Sequence, residues 1–267
     1  MKKFNIIIVL FISLIIVSFQ SQEISSPKLF VGYRYEYPVF DDVKAKVLYV
    51  LKDSLQTLFK YNTTYSVKAV IDEIFCFEEK VKDAFNIVVI KNGVEKKYSV
   101  NTRLTYAAID KNGMVFFTDT KADNAIKSIT NNEIKDLGIK GYVVSWIDNC
   151  LYYSKEHDPN LDYANADIFE FDILSRHDQK LLSNVSGEST YILPNRMYIY
   201  DKILLDGIFQ PILYSLDQKK YKLLNVEKKY LNQSPFYSYQ TNDLVFYNSK
   251  TMDEKFVEIP LDFDLKR

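Results

Sequence analysis

Ile87-Val88-Val89-Ile90 followed by Lys91-Asn92-Gly93 is an apolar four closed by a polar turn, and a second short run, Glu95–Val100, follows it. The same arrangement returns at Leu48–Leu51 before Lys52-Asp53-Ser54, Ile126–Ile129 before Thr130-Asn131-Asn132, and Ile168–Phe171 before Asp172. Two more copies are Ile212–Ser215 before Leu216-Asp217 and Phe256–Ile259 before Pro260. These runs begin at 48, 87, 126, 168, 212 and 256, so the spacing stays between 39 and 44 residues. A period near forty that carries strand-turn-strand is the mark of a β-propeller blade.

Hairpins upstream of the repeated pairs complete four strands per repeat. In the second repeat the hairpin is Tyr65–Ile71, a turn at Asp72, then Ile74–Phe77. The third has Thr105–Ile109, Asp110 to Gly113 and Met114–Phe117, and the fourth has Tyr142–Ile147, Asp148-Asn149 and Leu151–Tyr153. The fifth has Tyr191–Leu193, Pro194-Asn195 and Met197–Tyr200, and the sixth has Phe236–Tyr239, Asn242-Asp243 and Leu244–Tyr247. Asp, Asn, Pro and Gly stand where the backbone reverses because they supply the turn geometry that β-branched residues resist. Near-continuous apolar runs suit strands covered on both faces, and the polar runs Glu95–Val100 and Tyr221–Val226 suit outer strands. The expectation is an all-β propeller of about six four-stranded repeats. In the first repeat Leu29–Tyr35 serves as a second strand, which leaves too little chain for a first. Ala122–Leu137 also fits an amphipathic helix, so strands rest there on the repeat alone.

Asp167-Ile168-Phe169-Glu170-Phe171-Asp172 with Lys180-Leu181-Leu182-Ser183 resembles the third and fourth strands of TolB-like, WD40-like repeats, and Ile212–Leu216 with Lys222-Leu223-Leu224 resembles them in part. The resemblance implies a periplasmic or secreted propeller that acts mainly through protein contacts.

Lys2 and Lys3 precede an apolar run from Ile6 to Val17, which then turns polar, the pattern of a signal peptide over residues 1–21. Residues 22–267 are then expected to form one exported propeller domain without a membrane span. Loss of the leader takes the formal charge from −1 to about −3. Interspersed charge of that size lacks the basic footprint of a nucleic-acid binder. Cys76 and Cys150 lie two repeats apart, too far round a ring for a bridge.

Function in such a ring sits on the loop face, where second strands join third strands and one repeat joins the next. The longest insertion there, Ser154–Ala166, holds Glu156, His157, Asp158, Asp162 and Tyr163. Carboxylates beside a histidine suit a divalent cation, but the spacing lacks the fixed Gly and alternating acids of a calcium loop, which favours a solvated polar loop. Asp201 to Phe209 carries Leu204, Leu205, Ile208 and Phe209, which form a contact patch if exposed or extend the flanking strands if buried. The turn acids Asp72, Asp110, Asp148 and Asp243 recur on the opposite face, where hairpin chemistry accounts for them. With only His157 and His177 present and no Gly-x-Ser-x-Gly elbow, no catalytic residue, metal or cofactor is assigned. The expected role is a non-catalytic binding module for a protein or surface glycan. The alternative is a hydrolase or lyase acting on carbohydrate or peptide through channel-lining carboxylates.

Overall fold

The computed structural model describes residues 26–130, 132–156, 165–186, 191–193, 197–203, 209–227, 230 and 235–259. The leader segment 1–21 lies outside them. Twenty-three strands form among the described residues, in successive antiparallel units. The first unit is Lys28–Arg34, Tyr37–Asp42, Val47–Leu51 and Leu55–Lys60 (β1–β4), and the second is Tyr65–Ile71, Ile74–Val81, Ala84–Lys91 and Val94–Val100 (β5–β8). Ala107–Ile109, Val115–Asp119, Ala125–Thr130 and Glu133–Lys140 (β9–β12) make the third. Tyr142–Ile147, Cys150–Glu156, Asn165–Asp172 and Asp178–Ser186 (β13–β16) make the fourth. The fifth is Tyr191–Leu193, Met197–Ile203, Phe209–Ser215 and Lys220–Leu223 (β17–β20), and the last described unit is Phe236–Ser238, Asp243–Tyr247 and Glu254–Glu258 (β21–β23).

Every repeated apolar four is the third strand of its unit. In the second unit Ile87 and Val88 are fully buried, because neighbouring units cover both faces of the strand. The outer strand β8 is mostly exposed, in keeping with its lysines and glutamate. Across 122–137 the chain forms β11 and β12 instead of a helix. Asp123 and Asn124 at φ 55 and 56 open that hairpin and Asn132 at φ 66 turns it, left-handed backbone that a helix does not tolerate.

The first unit corrects one expectation. Residues 28–34 are its first strand, not its second, and Tyr37–Asp42 is the second, so the unit is complete. Strand β1 also pairs in parallel with β5 through Gly32–Val70 and Tyr33–Ile71, which merges two units into one eight-stranded sheet. Gly32, at φ 143, permits this approach, since a Cβ there would overlap the carbonyl oxygen of Val70.

Six apolar clusters lie between consecutive units. One packs Val39 and Leu48 on Phe75 and Phe77, the next Cys76 and Ile87 on Val115 and Phe117. Two more join Phe116 to Leu151 and Tyr153, and Tyr152 to Ile192 and Tyr198. A fifth joins Ile199 and Leu213 to Leu244 and Phe246. The sixth returns to the start: Phe40 meets Phe236 at 5.6 Å and Tyr247 at 5.1 Å between ring centroids. Polar contacts reinforce this junction. Tyr247 Oη accepts from Phe30 N at 2.7 Å, Ser249 O accepts from Lys28 N at 2.8 Å, and Tyr33 Oη both accepts from Tyr237 N at 2.8 Å and donates to Tyr237 O at 3.1 Å. Neither cysteine is in a disulfide; burial pushes the Cys76 thiol up to about 12.

Candidate functional site

Antiparallel order puts the second-to-third connections and the unit-to-unit connections at one end of the sheets, the loop face. The other end is the turn face. The ladders that flank the two expected insertions end at Glu156–Ala166 and Ile203–Phe209, at the loop-face end of their sheets. The pairing also shortens them. Ser154–Glu156 and Asn165-Ala166 are ladder residues, as are Asp201–Ile203 and Phe209, so the connections proper are 157–164 and 204–208. His157, Asp158, Asp162, Tyr163, Leu204, Leu205 and Ile208 lie outside the described residues. Glu156 and Phe209 are strand ends.

Elsewhere on the loop face, three connections present apolar side chains to solvent. Val43 is 47% exposed between β2 and β3, Val81 44% exposed at the end of β6, and Tyr106 41% exposed between the second and third units. Tyr106 packs on Tyr142 at 4.9 Å, and Tyr142 Oη accepts from Asn124 Nδ2 at 3.1 Å. The backbone beneath these residues is firmly held. The buried Glu78 carboxylate accepts from Leu104 N and sits 3.6 Å from Lys68 and 3.8 Å from Arg103, which fixes 101–106. Thr118 Oγ1 donates to Gly141 O and accepts from Val143 N, both at 3.0 Å, which pins the entry to the fourth unit. In the first unit Tyr61 Oη donates to the buried Asp41 at 2.6 Å. Burial pushes the Asp41 carboxyl up, while the Tyr61 hydrogen bond and Lys46 hold it back.

The turn face holds an arrangement that local sequence reasoning assigned to hairpin chemistry. Tyr239 lies against Tyr33 at 5.3 Å and Tyr237 at 5.1 Å. Burial pushes its phenol up to about 12, helped by Tyr237, Asp148, Glu36 and Asp72. Acids from the first, second and fourth units therefore share one field with a tyrosine of the last. Hairpin chemistry does cover Asp110, which accepts from Asn112 N at 2.8 Å and Met114 N at 2.7 Å. Asp72 instead accepts from Tyr35 N of the neighbouring unit at 2.8 Å, and Glu73 receives Arg34 Nε at 2.8 Å, so these two brace one unit against the next. The recurring turn acids were the available signal; the shared field depends on the ring. His177 is an exposed turn residue whose N–H donates to Ser175 Oγ at 3.3 Å.

No family model matches the chain, and no curated protein does. Solved structures do. An oligogalacturonate lyase in complex with manganese aligns over 88% of this chain and 77% of its own, at a TM-score of 0.60 and 8% identity. The tricorn protease aligns at 0.59 and 12% identity over 88% of this chain, and TolB from Acinetobacter baumannii at 0.56 and 11% identity over 79%. The likeness shows a TolB-like propeller fold. The chain spans 27% of the length of the tricorn protease chain and 56% of that of TolB. At such identities the fold is shared and the chemistry is not thereby fixed. No helix among the described residues is long and apolar enough to cross a membrane.

Proposed function

We propose that the chain is an exported, six-bladed propeller that works as a non-catalytic binding module, engaging a protein partner through its loop face. The observation that carries this reading is the exposure of Val43, Val81 and Tyr106 on three connections whose backbones are rigidly held. Apolar groups presented on a fixed scaffold form interfaces at low ordering cost. We assign to the same interface Glu156, His157, Asp158, Asp162, Tyr163, Leu204, Leu205, Ile208 and Phe209, on their sequence chemistry alone. The leader-like residues 1–21 support export.

A pull-down from the native envelope or secretion fraction tests it, using residues 22–267 and a Val43→Ser/Val81→Ser/Tyr106→Ser variant side by side. A partner retained by the first and lost by the second is the expected result. Equal recovery, or none, counts against the loop face.

A second reading is favoured by the acids Asp148, Glu36 and Asp72, whose charges all act on the turn-face phenol of Tyr239. On this reading the chain is a hydrolase or lyase acting on carbohydrate or peptide at the turn-face mouth. Turnover of a glycan library, abolished by Asp72→Asn, would support it.

A further inference from the structure

A cleft of about 380 Å³ opens on the turn face between the second and third units, and neither Val43, Val81 and Tyr106 nor the acids about Tyr239 line it. Its volume falls within the roughly 300–1,000 Å³ of small-molecule sites. Two ammonium groups, Lys91 and Lys96, line it, and no carboxylate does. Among the described residues neither lysine has a carboxylate within ion-pair distance. Lys91 Nζ donates to Asn112 O at 2.7 Å, which fixes it in the wall and leaves two of its three N–H groups for a ligand.

Three amides, Asn92, Asn112 and Asn132, come from three different turns and share the same cleft. Lys96 Nζ and Tyr98 Oη both donate to Asn132 Oδ1 at 3.3 Å, which turns the amide NH₂ into the free donor. Beneath them Val89 and Ile129 supply an apolar floor, and Val94, 60% exposed, an apolar lip.

Each element of this lining has a counterpart in an acidic sugar. An amide both donates and accepts, as a hydroxyl does. Ammonium groups held only by neutral acceptors match a carboxylate. Aliphatic side chains match the C–H face of a pyranose ring. An acidic peptide would satisfy the lysines and leave the three amides without a hydroxyl array to meet.

We propose that this cleft binds a carboxylate-bearing saccharide, a uronate unit of an acidic glycan, with Lys96 and Lys91 at the carboxylate and the asparagines at the hydroxyls. The site is separate from the loop face and stands whether or not that face takes a protein.

The test is calorimetric titration of the mature protein with trigalacturonate, a neutral galactose trimer and a triglutamate peptide at low salt, repeated on Lys91→Gln and Lys96→Gln. Melting curves confirm that each variant is folded. Trigalacturonate should bind, and either substitution should weaken it roughly tenfold, the worth of one charge-assisted hydrogen bond. Added salt should weaken it further. The neutral trimer and the peptide should bind at least about tenfold less well. The Val43→Ser/Val81→Ser/Tyr106→Ser variant should leave saccharide affinity unchanged, so that failure of one surface is told from failure of the other. Absence of saturable binding into the millimolar range would overturn the proposal. So would equal binding of the peptide, or unchanged affinity in both folded lysine variants.

Discussion

Replacing Tyr33 by Phe removes one oxygen and tests how the first and last units meet. That hydroxyl accepts from Tyr237 N at 2.8 Å and donates to Tyr237 O at 3.1 Å, so two hydrogen bonds are lost across the junction. The ring stays, and with it the contacts to Phe30 at 5.1 Å and Tyr239 at 5.3 Å. The change is therefore polar and not a cavity. A net hydrogen bond contributes about 0.5–1.5 kcal/mol, and a buried donor stripped of its acceptor costs about 1–3 kcal/mol. The expected loss is about 2 kcal/mol. For a chain of this size it lowers the melting midpoint by roughly 5 °C. Urea denaturation should show a lower midpoint with unchanged slope, and the Tyr237 amide should lose protection from hydrogen exchange. Tyr98→Phe is the matched control, since its hydroxyl makes a 3.3 Å contact to Asn132 in an open cleft, and it should stay within about 0.5 kcal/mol of wild type. If Tyr33→Phe is as neutral as that control, with the Tyr237 amide still protected, the junction is not held as described.

Three further outcomes follow from the same geometry. Gly32→Ala should be destabilising by about 1–3 kcal/mol from backbone strain with a similar overpacking cost, because its Cβ would overlap Val70 O and separate β1 from β5; urea midpoints measure it. Glu78→Ala should cost about 3–5 kcal/mol by leaving Lys68 without its carboxylate and Leu104 N without its acceptor, and should raise exchange across 101–106, as hydrogen exchange reports. Stability should fall as pH rises past about 10, the unfolded phenol value. Burial raises Tyr33, Tyr61 and Tyr153, the latter two aided by the Asp41 and Asp178 carboxylates. Folded phenols then stay protonated while unfolded ones ionise, so their contribution is complete below that value and lost above it. Urea midpoints against pH, with tyrosinate absorbance as the marker, should show a shallower alkaline slope in Tyr33→Phe.

Third strands were legible in the chain because they are covered on both faces and lose polar alternation, as Ile168 and Phe171 do at 0% and 3% exposure. Strand limits Tyr65–Ile71, Tyr142–Ile147 and Tyr191–Leu193 agree with the turn residues that follow them. The first unit was misplaced by one strand because nothing in Lys28–Arg34 announces an innermost strand. Its identity comes from a parallel partner 38 residues away, Val70 beside Gly32. Register shifts at Phe30/Gly32, Val67/Ala69 and Val143/Ser145 recur in first strands, and no local residue pattern marks them. The insertions were drawn too long, since Asp201–Ile203 and Ser154–Glu156 continue their ladders. That the charges of Asp148, Glu36 and Asp72 act on Tyr239 was not legible, because groups of four units come within electrostatic reach only when the units close on one another.

Closure is the point on which the faces, the junction and the cleft all depend. Nuclear Overhauser contacts between selectively labelled Phe40 and the rings of Phe236 and Tyr247 measure it without perturbing the protein. Centroid separations of 5.6 and 5.1 Å predict strong cross-peaks to both rings. A Phe40 ring that shows its contact to Phe30 of the same unit, 6.2 Å away, and none to Phe236 or Tyr247 would mean an open arc of sheets and would contradict the account.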